Sequence, residues 1–95
     1  MSKETMRESM RHAPIVSLVK QNICFRECAR IIKIAEDTGC HISITVGSQK
    51  GTTDSLLSLV KLGLTPGRTV VVTATGTAPE LAFRDCLKVL DGAAA

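Results

Sequence analysis

The most reactive side chains of this chain lie in one short stretch, residues 21–28. It reads Gln-Asn-Ile-Cys-Phe-Arg-Glu-Cys and places Cys24 and Cys28 on either side of Arg26. The apolar spacing that follows predicts a helix from Phe25, so Cys24 is expected just before the first helical turn. Free backbone N–H groups and the helix dipole at that point, together with Arg26, favour a thiolate and a bound phosphoryl group. The stretch therefore has features that lower the pKa of a thiol and help to bind an anion.

Other roles for the cysteines stay open. Cys24 and Cys28 are four residues apart, so they can share a helix face and form a redox or metal pair. Such a metal site needs further ligands, for which Cys40 and His41 are the available residues, and the spacing matches no common zinc signature. A free cysteine most often packs as a small apolar residue. We therefore predict no metal site and no cofactor.

Composition restricts the classes of function. The 95 residues suffice for one domain, and its core must come from aliphatic residues because 44% of the chain is hydrophobic and 2% aromatic. So few aromatic faces argue against a stacking platform for single-stranded nucleic acid. The net charge of +3 comes from 12 basic and 9 acidic residues spread along the chain. This distribution indicates a solvated, mildly basic surface and no nucleic-acid partner.

The sequence also predicts a location. It contains no apolar run of the roughly 18 residues that a membrane span requires. The first residues, Met-Ser-Lys-Glu, are followed by more charges and not by the apolar region of a signal peptide. The four cysteines lack the density of a secreted disulfide scaffold. We expect a cytoplasmic protein with reduced thiols and no membrane partner.

The first half of the chain alternates between strand and helix patterns. In residues 25–38 the apolar positions, Phe25 and Cys28 among them, recur at helical spacing, and Gly39 follows as a left-handed stop. In residues 40–46 apolar residues alternate with polar ones, which puts His41 on the solvent face of a strand. The predicted order is a strand at 13–20, a helix at 25–38, a strand at 40–46, a turn at 47–51 and a short strand at 52–53.

The second half begins with a leucine-rich helix at residues 55–62, which we expect Thr53 or Asp54 to cap and Gly63 to end. Its apolar residues are too many for one face of two turns, so some should stay exposed as a partner surface. They are Leu56, Leu57, Leu59, Val60 and Leu62.

A strand and a helix complete the chain. Residues 68–75 form the strongest strand pattern, with Val70, Val72 and Ala74 on one face. Thr77, Pro79 and Glu80 then predict a capped helix start, and Gly92 its end. The residues expected on the core face of that helix are Phe83, Cys86, Leu87 and Leu90. This order predicts an α+β two-layer sandwich with its helices on one face of a largely antiparallel sheet, and tails at residues 1–12 and 93–95.

Two segments resemble the HPr family of phosphocarrier proteins of the bacterial sugar phosphotransferase system. The stronger one is residues 54–64, Asp-Ser-Leu-Leu-Ser-Leu-Val-Lys-Leu-Gly-Leu, followed by Thr-Pro-Gly and the valine-rich strand. It is similar to the family's regulatory-serine helix and fourth strand. The resemblance implies an HPr-like open-faced sandwich over residues 13–92, with a four-stranded antiparallel sheet and three helices on one face.

The second segment is the opening stretch, where the family carries Gly-Leu-His-x-Arg-Pro-Ala. Residues 22–28 match it at Arg26, but Cys24 stands at the phosphorylated histidine and Glu27 at the proline. The chain's two histidines, His12 and His41, both lie elsewhere. The resemblance makes Cys24 and Arg26 the candidate phosphorylation site and predicts that histidine chemistry is lost.

The resemblance also implies roles on the short helix. Ser55 aligns with the serine that HPr kinase phosphorylates, although it can equally be an ordinary first-turn serine. Leu56, Leu57 and Val60 match positions that dock onto partners. We therefore interpret the chain as a regulatory or protein-docking module and not an enzyme, with phosphotransferase-system enzymes, an HPr kinase or a transcription regulator as partners. The alternative is a phosphoryl carrier that uses Cys24.

Overall fold

The computed structural model describes residues 14–92, so the expected tails at residues 1–12 and 93–95 lie outside the described residues. Seven elements follow one another in this range. They are β1 (Ile15–Leu18), α1 (Phe25–Thr38), β2 (Cys40–Val46), β3 (Gln49–Thr52), α2 (Leu56–Val60), β4 (Thr69–Gly76) and α3 (Pro79–Asp91). The bounds of α1 are those predicted from the sequence.

The four strands form one antiparallel sheet in the order β1-β4-β2-β3. The longest pairing joins β2 to β4, from Cys40 opposite Gly76 to Thr45 opposite Val71. With its three helices this is the predicted α+β open-faced sandwich, which is therefore confirmed. The strands β1 and β3 are the two edges of the sheet.

The core lies between the sheet and the helices, because side chains alternate across a strand and one set faces inward. Ile42, Ile44 and Val72 are fully buried from the sheet, and Ile31 and Leu90 meet them from α1 and α3. Each such side chain contributes about 1.5–3 kcal/mol by leaving water.

No helix within residues 14–92 is long and apolar enough to cross a membrane.

The predicted turn and short third strand within residues 47–53 are both present, but their predicted bounds, 47–51 and 52–53, were wrong. A strand, β3, occupies Gln49–Thr52, and the turn is confined to residues 47–48. Val46 pairs with Gln49, so the hairpin closes over two residues, and Gly47 supplies the positive φ of 60° that this tight turn requires. The residues of β3 are polar and have weak strand propensity, so their composition resembled that of a loop. They form a strand nevertheless, because they pair with β2 at the edge of the sheet.

Two predicted helix caps were also wrong. The N-cap of α2 is Ser55. The Thr53 hydroxyl, which was expected to cap this helix, accepts a hydrogen bond from the Ile42 N–H at 3.1 Å instead. The cap residue of α3 is Ala78, without a side-chain cap hydrogen bond, whereas Thr77 binds through its backbone to Gly39 O at 3.1 Å. In both cases bonds to distant backbone groups fix the residue that was expected to cap.

Phe25 does not pack in the core as predicted. It is 63% exposed, whereas Cys28, one turn later on the same helix face, is 1% exposed. Phe25 is the first residue of α1, so no preceding helical turn covers its ring. The helical spacing predicted the face of α1 on which Phe25 lies, but it did not predict that the Phe25 side chain would be exposed.

Gly51 allows α2 to lie directly against β3, so we expect Gly51→Ala to destabilise the fold by about 1–3 kcal/mol. An added Cβ would lie 2.7 Å from the Ser58 carbonyl oxygen and 3.1 Å from Leu59 Cα, and backbone cannot move aside cheaply. Urea unfolding followed by circular dichroism measures the change. Lys50→Ala, at the exposed neighbouring position, should stay within about 0.5 kcal/mol of the unaltered protein. Equal stability of the two variants would contradict this account of the packing.

Candidate functional site

The turn before α1 is held in place by a buried residue, whereas its cap residue is open to solvent. Cys24 is the cap residue of the helix and is exposed to solvent. The preceding Ile23 is buried, and its N–H donates to the Leu64 carbonyl oxygen at 3.0 Å. Because Leu64 follows α2 in the chain, this bond ties the two sequence-predicted regions of the candidate site together.

Glu27 occupies the anion-binding position at the start of α1. Its Oε1 accepts a hydrogen bond from the Cys24 N–H at 3.0 Å. The bond from its own backbone N–H and the bond from Cys24 hold the pKa of Glu27 below its ordinary value, and the charges of Arg26 and Arg30 lower the pKa further. A helix N-terminus attracts an anion, and here a carboxylate of the same helix already fills that role.

Arg26 lies one residue after the helix start, with its side chain exposed. Within residues 14–92 it forms no ion pair. Cys24 and Arg26 are therefore both exposed, and the backbone N–H of Cys24 itself donates to Glu27.

Cys28 and Cys86 are buried and pack as apolar residues, whereas Cys40 is half-buried and its thiol donates to the Thr38 carbonyl oxygen at 3.6 Å. Burial raises the pKa of Cys28 to about 11, and the nearby Glu27 and Cys24 add to the effect. Burial alone raises the pKa of Cys86 to about 12. Both thiols are therefore protonated and unreactive near neutral pH. Across residues 14–92, no three His, Cys, Asp or Glu side chains lie together as potential metal ligands.

Ser55 begins the short helix α2. Its exposed hydroxyl oxygen accepts a hydrogen bond from the Ser58 N–H at 3.2 Å, which makes it the N-cap. This is a structural role for the residue that the sequence marked for phosphorylation. The hydroxyl remains exposed while it serves as the cap.

Ser58 is a site residue that sequence reasoning missed. Its hydroxyl accepts a hydrogen bond from the Thr52 N–H at 2.9 Å and donates to the Ser55 carbonyl oxygen at 2.7 Å. These bonds fasten α2 to β3, beside Gly51. The available signal was one polar residue inside a run of leucine and valine, which indicates a hydroxyl turned toward backbone groups.

The predicted docking residues differ in exposure. Leu57 is 62% exposed, whereas Leu56 and Val60 are half-buried and pack against the core. Leu59 and Leu62 are buried. The surplus of apolar residues on α2 thus produces one protruding leucine with two partly covered neighbours.

His41 lies on the solvent side of β2, as predicted. Its Nδ1 is 3.3 Å from Asp54 Oδ2, and both side chains are exposed. Asp54 directly precedes Ser55, so this contact places an ionisable pair next to the cap of α2.

Comparisons with known proteins agree with this geometry. A family model described as the PTS HPr component phosphorylation site matches residues 18–91. Among solved structures, the histidine-containing phosphocarrier protein of Mycoplasma superposes with a TM-score of 0.71, over 85% of this chain and 96% of that chain. The two sequences are 17% identical, so this likeness establishes the fold alone. No curated protein sequence matches the chain.

The family match extends from the last residue of β1 to the end of α3 and covers both stretches that carry the candidate site. The chain is therefore a member of the HPr phosphocarrier family of the phosphotransferase system.

Proposed function

We propose that this HPr-family protein is a regulatory docking module that does not carry a phosphoryl group on histidine. The observation that carries the proposal is the start of α1, where Cys24 is the cap residue and the Glu27 carboxylate already binds the Cys24 amide at 3.0 Å. The family pattern has histidine and proline at these two positions. His41 cannot substitute for the lost histidine, because it lies in β2 opposite Thr75.

Glu27 opposes phosphorylation at this turn by two effects. A phosphoryl group carries about −1.5 to −2 charges near neutral pH and seeks the same N–H donors. It would meet a neighbouring carboxylate that is ionised and already hydrogen-bonded. Proline has neither the charge nor a side chain that can accept these bonds, so the exchange to Glu27 changes the site as much as the loss of histidine.

The docking role rests on α2. Leu57 extends into solvent from a helix that the Ser55 cap and the Ser58 hydroxyl hold against β3. A rigidly held apolar side chain costs little entropy when a partner covers it. Leu56 and Val60 border it and widen the contact. Phosphotransferase-system enzymes are the partners that family membership suggests, with an HPr kinase or a transcription regulator as narrower candidates.

Regulation at Ser55 fits the same surface. The Ser55 hydroxyl is exposed, and a phosphate there would keep an acceptor for the Ser58 N–H. Asp54 would repel the phosphate, and His41, 3.3 Å from Asp54, offsets that repulsion when it is protonated. Phosphorylation would thus place a double negative charge two residues before Leu57 and alter what docks there.

The alternative function is a cysteine phosphoryl carrier. The exposed thiol of Cys24 favours it, as does the exposed side chain of Arg26, which has no ion-pair partner within residues 14–92. The phosphorus of a phosphohistidine on the donor enzyme would bond to Cys24 Sγ as the bond to the donor nitrogen breaks, and the thiol proton would pass to that nitrogen.

Leu57→Asp should weaken binding to the first enzyme of the phosphotransferase system, or to an HPr kinase, by at least about tenfold, because a charge replaces the protruding apolar contact. Isothermal titration calorimetry measures Kd, and thermal unfolding verifies the fold. The matched control is Leu81→Asp, an exposed leucine of α3. A Kd for Leu57→Asp equal to that of the control would refute the assignment of the docking surface.

Incubation with phosphoenolpyruvate and the first enzyme should leave the unaltered protein unlabelled. The double variant Cys24→His with Glu27→Pro should gain an acid-labile phosphohistidine, because both exchanged groups are restored. Phosphate transfer from radiolabelled phosphoenolpyruvate measures both reactions. An iodine-sensitive label on the unaltered protein that Cys24→Ser abolishes would establish the alternative function.

Glu27 should contribute stability above its ordinary pKa of 4.5 that is lost as the pH falls through its lower folded-state pKa. Glu27→Gln should therefore reduce the stability near neutral pH and make the decline toward about pH 3 shallower. Urea unfolding across this range measures the effect. The control Glu36→Gln changes an exposed carboxylate of the same helix away from its start. Identical pH profiles for the two variants would show that Glu27 does not bind the helix start in solution.

A further inference from the structure

Within residues 14–92, the outer edge of β1 has backbone groups without a hydrogen-bond partner. Val19 bonds toward β4 through both its N–H, to Arg68 O, and its carbonyl oxygen, from Gly67 N–H, each at 2.8 Å. Alternate residues of an antiparallel strand face opposite sides, so Val16 and Leu18 direct their N–H and C=O groups away from β4. The next group in this phase, the Lys20 N–H, is satisfied by Leu90 O at 2.9 Å. The open part of the β1 edge therefore ends at Lys20, where the C-terminal end of α3 contacts the chain.

In the part of the chain that the structure describes, this edge lacks the usual protection. Natural edge strands carry charges, bulges or proline that prevent another strand from pairing. Val16 and Leu18 are instead apolar and are 67% and 48% exposed. Pro14 lies before the strand, so it leaves the groups of these two residues open. An edge that keeps two exposed apolar residues is suited to receive a strand.

A groove runs between β1 and α3 beside this edge, with a volume of about 590 Å³. Apolar and basic residues line it. They include Val16, Leu18 and Leu87 together with Lys20, Arg84 and Lys88.

The charges of the groove do not cancel. Asp91 also lines it and pairs with Lys20 at 3.2 Å, and Arg84 Nε contacts Asp85 Oδ1 at 3.4 Å. Lys88 forms no ion pair within residues 14–92. The lining holds three cations and one carboxylate, and Asp85 next to it pairs with Arg84, so the positive charge of Lys88 remains in excess. An occupant that complements it is acidic.

We propose that the β1 edge and this groove bind an extended acidic segment of a partner protein as a fifth strand of the sheet. Backbone groups of the segment pair with Val16 and Leu18, and its carboxylates contact Arg84 and Lys88. Main-chain bonds supply affinity in this mode of recognition, and the flanking side chains supply specificity.

Two other occupants fit the charges poorly. A second copy of the chain, paired edge to edge, would bring two basic grooves together. The chain's own residues 1–13 contain three Lys and Arg against two Glu, so they are also basic. The acidic segment is the occupant that charge complementarity selects.

The site is separate from the docking surface on α2. That helix packs on β3, which is the opposite edge of the sheet in the order β1-β4-β2-β3. The domain has the geometry to hold two partners at once, and this inference does not depend on the proposed function.

Titration of the full chain with a short peptide that alternates valine and glutamate tests the proposal. Proton–nitrogen correlation NMR should show shifts at Val16, Leu18 and Lys88. A peptide with lysine in place of glutamate, and one with alternate backbone nitrogens methylated, should each bind at least about tenfold more weakly. Shifts confined to α2, or none at any residue, would overturn the proposal.

Variants separate the groove from general electrostatics. Arg84→Glu with Lys88→Glu should weaken peptide binding by about tenfold or more. Lys50→Glu with Lys61→Glu makes the same charge change near the opposite edge, at exposed positions, and should leave binding within about twofold, as should Leu57→Asp. Equal loss in both double variants would overturn the proposal.

The other occupants give distinct results. A dimer in sedimentation that Val16→Glu dissociates would identify a second copy as the occupant. Peptide binding that appears only after removal of residues 1–12 would identify the chain's own N-terminal segment. Either result overturns the acidic partner.

Discussion

The pairing of β2 with β4 is the constraint on which the rest of the structure depends. Its central rows bury Ile42 and Ile44 next to Val72 and Ala74, and α1 and α3 cover that surface. The ladder also brings Gly76 against Gly39, where a side chain on Gly76 would collide with backbone. The end of α1 and the start of α3 are thereby joined, and the exposed start of α1 is left at the opposite end of its helix.

At that start, a capping interaction stands where the family pattern predicts phosphoryl chemistry. The helix N-terminus needs acceptors for its free N–H groups, and Glu27 supplies one from within the chain. A helix start whose N–H groups already have an acceptor gains less stability when it binds an external anion. The HPr fold forms with Cys24 and Glu27 at the start of α1.

The two edges of the sheet differ in how they are finished. At β3, Gly51 and the Ser58 hydroxyl allow α2 to pack directly against the strand. Leu57 therefore extends from a helix that is fastened to the sheet. At β1, the C-terminal end of α3 satisfies only the end of the strand, and Val16 and Leu18 have no strand partner on the outer side within residues 14–92. One edge is therefore covered by a helix, and the other is a strand without a cover among the described residues.

The sequence by itself determined the element order, the bounds of α1, the buried valine face of β4 and the family, because these follow from local periods and from motifs in contiguous residues. Only the tertiary structure decided that residues 49–52 form a strand, that Ser55 and not Thr53 caps α2, and that Phe25 stays in solvent. The anchoring role of Ser58 and the open edge at β1 also arise there. Each of these depends on which distant backbone group or side chain lies opposite, and no local pattern encodes that.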